Sequence, residues 1–254
     1  MSSVADAYDT PAAEYDSLFV SANRRLWSGV CERWVVPGQR VLDAGCGTGI
    51  DTLALARRGV RAWGMDISSG MLDVARAAAL REGVDAEFSQ GDLADFCHPA
   101  APFDAIISGF AAINTVSSPG RFAGAAARQL VPGGLLLVHF LTPGGVYDRL
   151  SDLARARWRQ ALSHWRQRSR VVRVGRTPVD HHTWRPDVLY REAFASHFAL
   201  VAQHQVGAFV PDDGPSRVPG LLAARVLAPL DAALANAPAV VNWGRFGILV
   251  LRRR

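Results

Sequence analysis

The sequence predicts an α/β fold in which a doubly wound, mostly parallel sheet carries helices on both faces. Short apolar runs alternate with stretches of helical spacing from residue 40 onward, and this order is typical of parallel strands joined by right-handed crossovers. The first run, VLDAG, stops at glycines before helical spacing resumes, which indicates a strand, a tight turn and a helix. With 254 residues, 49% of them hydrophobic, the chain can bury the core of a single domain over 1–254.

Five candidate strands follow one another in the first part of the chain. They are VLDAG (41–45), VRAWGMD (60–66), AEFSQGD (86–92), FDAIISGF (103–110) and GGLLLVHFL (133–141). Helical spacing in 68–83 and 119–130 predicts two of the crossovers between them. Near the end of the chain, 198–210 and 245–254 predict two further strands, which we expect to form an antiparallel edge of the sheet.

Composition limits the kinds of partner and the cellular compartment that we expect. The formal net charge is +5, which by itself would suit nucleic acid, anionic lipid or an acidic substrate, but all the basic residues are arginines, so genome composition can explain part of it. The chain has three cysteines, whose spacing fits neither a disulfide framework nor a zinc cluster. We expect a cytoplasmic protein with no transmembrane segment, because no signal-like or membrane-length apolar run occurs.

Three glycines follow the first candidate strand at alternate positions, as Gly45, Gly47 and Gly49. Glycines there allow a sharp turn and a close approach of the backbone to a ligand, and they aim the first amides of the next helix at that ligand. Asp43, just before the turn, can accept a hydrogen bond or balance a cation. Asp66, at the end of the second strand, can hold both hydroxyls of a ribose. A nucleoside-containing cofactor is the simplest ligand.

The combined pattern resembles the class I S-adenosylmethionine-dependent methyltransferases over 35–141. It consists of VLDxGxGxG, the acid at Asp66, the QGD that ends at Asp92, and the later LVPGG turn. The resemblance implies a Rossmann-like sheet of seven strands with an antiparallel last strand. A nicotinamide or flavin dinucleotide site is the competing interpretation, but its G-x-G-x-x-G fingerprint would need a glycine where Ile50 stands.

The resemblance also implies that S-adenosylmethionine is the cofactor and S-adenosylhomocysteine the product. Gly45 and Gly47 would pass under the methionine part, with Asp43 near its amino group. Asp66 would bind the ribose hydroxyls, and Ile67 would pack on the adenine.

Further cofactor contacts follow from the same resemblance. Asp92 would accept a hydrogen bond from the adenine amine, with the Leu93 backbone beside it, although Asp92 could also cap a helix. The remaining expected contacts are Cys46, Gly49, Met71, Ser108, Gly109 and Tyr15. Tyr15, or alternatively Tyr8, would come from a leading helix folded over the cofactor.

Two inserts are expected to cover the substrate. Residues 142–186 are too long for a simple crossover, and we predict a helical substrate cover there, whose arginines form either a solvated face or an anion site. Residues 211–242 form a second insert between the last two strands, and their helical spacing predicts either an apolar roof over the pocket or a plain core helix. Both inserts would suit an aromatic or lipophilic acceptor.

Methyl transfer is an in-line displacement that needs a general base only if the acceptor holds a proton. Histidine is the natural type, and the candidates are His139 at the end of the fifth strand and the adjacent His181 and His182. His139 could equally be a structural histidine. Neighbouring histidines point apart on an extended segment, so we expect no metal. The candidate substrate-binding residues are Phe110, Asn114, Trp158 and Trp184.

Three functions remain open from the sequence. The favoured one is a methyltransferase that acts on oxygen, nitrogen or carbon of a small aromatic or lipophilic molecule, as a monomer or homodimer. The second is a methyltransferase of RNA or another nucleic acid, which the basic pI encourages; yet SGFA stands where family enzymes that methylate base amines carry an Asn or Asp, Pro, Pro, aromatic motif, so we expect no nucleic-acid partner. The third is a non-catalytic cofactor-binding subunit.

Overall fold

The computed structural model describes residues 4, 8, 22–159, 169–174, 177–209, 227–235 and 242–254. The strands are β1 (Arg40–Ala44), β2 (Arg61–Asp66), β3 (Glu87–Gln90), β4 (Phe103–Ser108), β5 (Leu130–Leu141), β6 (Ser169–Val174), β7 (Thr177–His182), β8 (Phe198–Val206) and β9 (Phe246–Arg253). The helices are α1 (Ala22–Trp34), α2 (Ile50–Arg57), α3 (Ser69–Glu82), α4 (Pro119–Gln129), α5 (Val146–Ala154), α6 (Pro186–Leu189) and α7 (Ala228–Leu234), with a 3₁₀ turn at Ala112–Thr115 and a π turn at Tyr190–Phe194.

A seven-stranded sheet in the order β3-β2-β1-β4-β5-β9-β8 forms the centre of the fold. Strands β1 to β5 pair in parallel, whereas β9 pairs antiparallel with both β5 and β8. The predicted fold class is therefore confirmed, including its antiparallel edge. The direction of the strand order reverses between β1 and β4, and in such sheets ligands bind outside the carboxyl ends of the strands at this switch point.

The sheet has a hydrophobic core on each face. Neighbours in β1 contribute to different cores: Leu42 packs with Phe122 of α4, and Val41 packs with Trp27 of α1. All four side chains are fully buried. Because the central strands are covered on both faces, their sequences are continuous apolar runs rather than alternating ones, and this is why they were recognisable in the sequence.

The segment after β5 differs from the helical cover that the sequence predicts. Helix α5 is present, but β6 and β7 form a separate antiparallel hairpin, with Ser169 opposite His182. Valines at 171, 172, 174 and 179 favour extended backbone, because β-branched side chains pack well on a pleated surface. The described part of the cover thus contains one helix, α5, and one hairpin, β6–β7.

Several predicted features lie outside the described residues. These include Tyr15, residues 160–168 of the first insert and most of the second insert, of which α7 is a described part. None of the described helices has the length and apolar content needed to cross a bilayer.

Candidate functional site

A cavity of about 260 Å³ lies at the carboxyl ends of β1, β2 and β4, at the switch point of the sheet. Of the predicted cofactor residues, the cavity is lined by Asp43, Gly45, Cys46, Gly47, Asp66, Ile67, Met71, Asp92, Leu93 and Gly109. Residues that sequence reasoning did not assign to the site also line it, among them Val4, Arg24, Thr48, Ile50, Asp51 and Thr115. The elements with the specific motif therefore converge on one cavity.

The glycine turn has two distinct roles in this cavity. Gly45 and Gly47 both have positive φ, +82° and +53°, which L-residues with side chains rarely adopt. A Cβ on Gly45 would lie 2.5 Å from Cβ of Ala112, whereas a Cβ on Gly47 would meet nothing within 4 Å. Gly45 thus allows the loop after β4 to pack against the turn, and Gly47 leaves open space where its backbone borders the cavity.

The carboxylate of Asp66 is oriented by backbone amides. The amide of Gly47 donates to its Oδ2 at 2.8 Å, and the amide of Ser68 donates to its Oδ1 at 3.0 Å. These bonds hold the side chain at the cavity wall directly beside the glycine turn. A carboxylate held in this way can accept further hydrogen bonds from two vicinal hydroxyls.

Asp43 is buried below the turn, where the hydroxyl of Thr52 donates to its Oδ2 at 2.7 Å. Burial raises the pKa of Asp43 to about 8, and the nearby charge of Asp51 contributes in the same direction. Burial therefore favours the protonated form of Asp43 at neutral pH. A cation placed beside it would reverse this preference.

Asp51 is a site residue that the sequence reasoning missed. It accepts hydrogen bonds from Trp27 Nε1 at 2.8 Å and from the guanidinium of Arg24 at 3.1 Å. Burial raises the pKa of Asp51 above its usual value, while Arg24 and Trp27 oppose that shift. Asp51 lies in the first turn of α2, where the helix dipole stabilises an acidic residue. Its position directly after the glycine turn is the sequence feature that could have identified it as a site residue. A Cβ on Gly109 would lie 3.0 Å from Oδ2 of Asp51, so the loop after β4 closes tightly on this group.

The charge of the cavity is negative on balance. Its described lining carries four carboxyl groups and one guanidinium, from Asp43, Asp51, Asp66, Asp92 and Arg24. In a partly water-excluded site such a set attracts cationic groups. The electrostatics therefore suit a ligand with an ammonium or sulfonium group.

The side of the cavity next to β2 and β3 is more apolar and more open. Met71 and Leu93 are buried there, whereas Ile67 is 37% exposed. Asp92 lies at the exposed rim, and its Oδ1 accepts a hydrogen bond from the amide of Ala94 at 2.8 Å. Apolar side chains beside a carboxylate at the rim suit an aromatic base.

The loop after β4 contributes Gly109 and Phe110 to the cavity, whereas Ser108 is fully buried and does not line it. Phe110 and Ala111 both have positive φ, 45° and 63°, a conformation that is uncommon outside glycine and marks functional loops. The guanidinium of Arg24 lies 3.9 Å from the centre of the Phe110 ring. The strained loop therefore places an aromatic face and a cation at the cavity wall.

His139 is not brought to the cavity. It is fully buried, its Nε2 lies 2.9 Å from Oδ1 of Asn23, and the rings of Trp27, Phe110 and Phe246 lie within 5.7 Å of it. Burial lowers the pKa of His139 to about 3, far below the range useful to a general base. This geometry fits the alternative, a structural histidine, and a catalytic role of His139 stays a prediction.

Asn114 is likewise a packing residue in this structure. Its Nδ2 donates to the carbonyl of Leu141 at 3.0 Å and to the carbonyl of His182, and its Oδ1 accepts from the amide of Leu141 at 2.9 Å. The side chain is fully buried and does not line the cavity. Its amide joins the end of β5 to the end of β7 instead of facing a substrate.

The other predicted residues of the cover fall in three places. His181 is buried, and its Nε2 lies 3.3 Å from the hydroxyl of Tyr8, which lines the cavity. His182 stacks on Trp184 with ring centres 5.9 Å apart, away from the described lining of the cavity. Trp158 is 57% exposed and is also not part of that lining. Only His181 is thus connected to the cavity, through Tyr8.

Comparison with known families identifies the segment that forms most of this cavity. The sequence model of a family described as a methyltransferase domain matches residues 41–134, from β1 into β5. The predicted resemblance is confirmed over this segment.

Curated relatives match in overlapping regions. A ubiquinone biosynthesis O-methyltransferase of Hahella chejuensis is 33% identical over 102 residues, which are 40% of this chain and 43% of the relative. A demethylmenaquinone methyltransferase of Clavibacter sepedonicus is 33% identical over 146 residues, 55% of this chain and 59% of the relative. The chain therefore spans about half the length of the curated relatives it matches.

Solved structures match nearly the whole chain at low sequence identity. The structure titled as the [4+2]-cyclase SpnF has a TM-score of 0.64 at 20% identity, covering 98% of this chain and 95% of that one. An S-adenosylmethionine-dependent methyltransferase from Mesorhizobium loti has a TM-score of 0.59 at 20% identity, covering 92% and 99%. At such identities the likeness shows the fold alone.

Proposed function

We propose that this chain, whose residues 41–134 belong to the class I S-adenosylmethionine-dependent methyltransferases by sequence and fold, transfers a methyl group to a small lipophilic molecule. The observation that carries the proposal is the cavity at the switch point, where the glycine turn meets a carboxylate held by the Gly47 amide. The cyclase with the same fold is a reminder that fold does not determine reaction, so turnover has to be measured.

The described residues fit the parts of S-adenosylmethionine. Asp66 would accept hydrogen bonds from the ribose hydroxyls, and the apolar side of the cavity with Ile67 and Asp92 would take the adenine. Asp43 would face the ammonium group, and Arg24 offers a guanidinium to the carboxylate. Burial raises the pKa of Asp43 to about 8, and a ligand ammonium group beside it would favour the ionised form.

The cofactor supplies an electrophilic methyl group, and the protein has to align it with the acceptor and exclude water. The Gly109–Phe110 loop closes the cavity beside β4, with Phe110 as an apolar wall. Hydrogen bonds from Trp27 and Arg24 fix the side chain of Asp51. These residues position and desolvate the reactants, which can supply much of the rate without a covalent intermediate.

For an acceptor that holds a proton, we propose that the Tyr8 hydroxyl contacts the protonated group of the acceptor at the cavity. His181 would position this hydroxyl. The Nδ1 of His181 lies 3.2 Å from the carbonyl of Val179, which can only accept, so Nε2 is left to accept from the Tyr8 hydroxyl. Burial lowers the pKa of His181, which favours the neutral ring whose Nε2 accepts the hydrogen bond from Tyr8. Tyr8→Phe should lower turnover and remove one limb of the pH–rate profile; an unaltered profile would contradict this role.

The acceptor class follows from the relatives and from the pocket. Two matching relatives are named for ubiquinone biosynthesis and for demethylmenaquinone, and the cavity wall next to β4 is aromatic. We therefore propose a ring with a lipophilic substituent, methylated on oxygen, nitrogen or carbon. We further propose action on small molecules rather than nucleic acid, in the cytoplasm, by a monomer or homodimer.

The test is calorimetric titration with S-adenosylmethionine, S-adenosylhomocysteine and NAD, followed by a screen of acceptors by mass spectrometry. Binding of both sulfur nucleosides without binding of NAD, and a product heavier by one methyl group, would support the proposal. Failure of both nucleosides to bind would refute the cofactor site. Binding without any turnover would favour a non-catalytic subunit.

A further inference from the structure

The positive charge of the chain is concentrated in one segment. Residues 149–176, called the basic segment below, contain nine arginines and one acidic residue, Asp152, a formal charge of +8. Because the whole chain has a net charge of +5, all residues outside the basic segment together carry −3. A uniformly arginine-rich composition does not produce such a division. The one acidic residue is neutralised in part, since Asp152 pairs with Arg157 at 2.8 Å.

Large apolar side chains are exposed within the same segment. Leu150 and Leu153 on α5 are 57% and 54% exposed, and Trp158 just beyond α5 is 57% exposed. Leu150 and Leu153 are three residues apart and therefore lie on one side of the helix. Arg155 and Arg159 are exposed between and beside these apolar groups, and the Arg159 guanidinium lies 5.1 Å from the centre of the Trp158 ring. Single exposed leucines are ordinary, but a cluster of this kind marks an interaction surface.

The surface and the candidate site are connected along the chain. Helix α5 follows the carboxyl end of β5, the edge of the sheet at which the cavity opens between β1 and β4. The hairpin that ends the basic segment continues to His181, which contacts Tyr8 at the cavity. Helix α5 therefore starts at the same edge of the sheet as the cavity.

The chemistry of the surface selects one kind of partner. A second copy of the chain would bring the exposed arginines of its own surface against Arg155 and Arg159 and be repelled. A nucleic acid would use the arginines and the tryptophan but would gain nothing from exposed leucines on a helix. An anionic bilayer uses all of them, because arginines reach the phosphates while leucine and tryptophan enter the boundary between headgroups and acyl chains.

We propose that the surface formed by Leu150, Leu153, Arg155, Trp158 and Arg159, called the docking surface, binds anionic phospholipid membranes. This proposal rests on the proposed function only where it explains what membrane binding is for: the cavity would be placed at a membrane from which a lipophilic acceptor can enter. The binding itself requires neither cofactor nor turnover. The docking surface lies in the interfacial plane and does not span the bilayer.

Sedimentation with vesicles tests the proposal on the full chain. One set of vesicles is pure phosphatidylcholine, and in the other phosphatidylglycerol replaces a third of it. We expect binding to the anionic vesicles only. Each arginine near an anionic surface contributes about fivefold to partitioning, so the double variant Arg155→Gln with Arg159→Gln should bind about 25-fold more weakly. Arg157 is left intact in this variant because it neutralises Asp152.

A second variant separates lipid from nucleic acid. Leu150→Ser with Leu153→Ser keeps every charge and removes apolar contact, so vesicle binding should fall by about tenfold or more. Matched controls come from the far side of the sheet: Leu80, which is 84% exposed, changed to Ser, and the exposed Arg61 and Arg81 changed together to Gln. These controls should stay within about twofold of the unchanged protein, since distant exposed charges are screened.

Three results would overturn the proposal. They are absence of binding to anionic vesicles at low salt, equal losses in the controls and the docking-surface variants, and full vesicle binding by the leucine variant together with competition by single-stranded RNA. Calorimetry with S-adenosylmethionine on the same preparations keeps the two proposals apart. Cofactor binding without vesicle binding would refute the docking surface alone, and the reverse would refute the proposed function alone.

Discussion

The cavity and the docking surface are opposite in charge and in the way their charges are held. In the cavity, Asp43, Asp51 and Asp66 are held by hydrogen bonds from Thr52, Trp27 and the glycine turn. On the docking surface, Arg155 and Arg159 are exposed. The net charge of +5 averages over both regions and describes neither of them.

This difference determines how each region should respond to change. A buried, hydrogen-bonded carboxylate acts at one place, so its loss has a large effect that salt does not reproduce. Exposed arginines act through a summed field, so their effects are moderate, roughly additive and strongly dependent on salt. The predictions below test the contrast, beginning with the largest expected effect.

Asp66→Ala should weaken binding of S-adenosylmethionine by about 100-fold, because two charge-assisted hydrogen bonds to the ribose would be lost. Calorimetric titration measures the change, and circular dichroism checks that the fold persists. Asp66→Asn retains an acceptor for the Gly47 amide and separates loss of binding from loss of the turn. Asp73→Ala, an exposed acid on α3, is the control and should bind normally. Unchanged affinity in Asp66→Ala would refute the ribose site.

Asp43→Asn should lower cofactor affinity by about tenfold and make it insensitive to pH. The pKa of Asp43 is raised to about 8 by burial, so a bound ammonium group has to displace a proton. In the unchanged protein, affinity should therefore rise with pH between about 6 and 8, by at most tenfold per unit. Calorimetry in buffers of different ionisation enthalpy detects the released proton. No proton release in the unchanged protein would contradict the assignment.

The same substitution should stabilise the empty protein. An acid whose pKa rises from 3.8 to about 8 on folding binds more protons in the native than in the unfolded state over that window. Stability is therefore lost as pH increases from about 4 to about 8. Asp43→Asn removes this loss, and a gain of about 1 kcal/mol would raise Tm by about 2–4 °C at neutral pH. Thermal unfolding at both ends of the window should show a gain that grows with pH; a constant gain would point to another cause.

Salt gives the most direct contrast between the two regions. An increase from low to high ionic strength should change cofactor affinity by less than about twofold, because the cavity charges are largely buried. Vesicle binding under the same conditions should fall by far more. Similar salt dependence in both measurements would mean that the cavity carboxylates act through a screened, long-range field. This result would contradict the contrast between the two regions.

His139→Gln should have the smallest effect on function, with turnover and its pH profile changed by less than about threefold. The pKa of His139 is lowered to about 3, so its titration lies outside the working range of the enzyme. Loss of its contacts with Trp27 and Phe246 should lower the free energy of unfolding by about 1–2 kcal/mol. A large fall in turnover with an unchanged Tm would support a catalytic role.

Local sequence patterns predicted the parallel strands, the glycine turn and the acid at Asp66. Each depends on neighbours along the chain: continuous apolar runs for buried strands, positive φ at glycines, and the end of a strand for the acid. The motif also predicted that these parts converge, because the carboxyl ends of parallel strands meet at one edge of the sheet.

Other features depend on contacts that the sequence does not reveal. The partners of Asp51 come from α1, far from it along the chain. His139 is shielded by the Phe110 loop, whose positive φ values occur at residues other than glycine. The β6–β7 hairpin was missed because its arginines resemble a solvated helix face. In each case contacts between segments distant in the sequence determine the structure, and the local sequence does not.

The side chain of Asn114 has a mechanical consequence for access to the cavity. Because its amide bonds to the backbone of both Leu141 and His182, it acts as a short additional rung between the sheet and the hairpin. The hairpin is thereby anchored and is not suited to swing aside at each turnover. Tyr8 contacts the hairpin through its hydroxyl, which lies 3.3 Å from the imidazole of His181. Departure of the spent cofactor would then depend on the exchange of this contact for water and not on a movement of the hairpin.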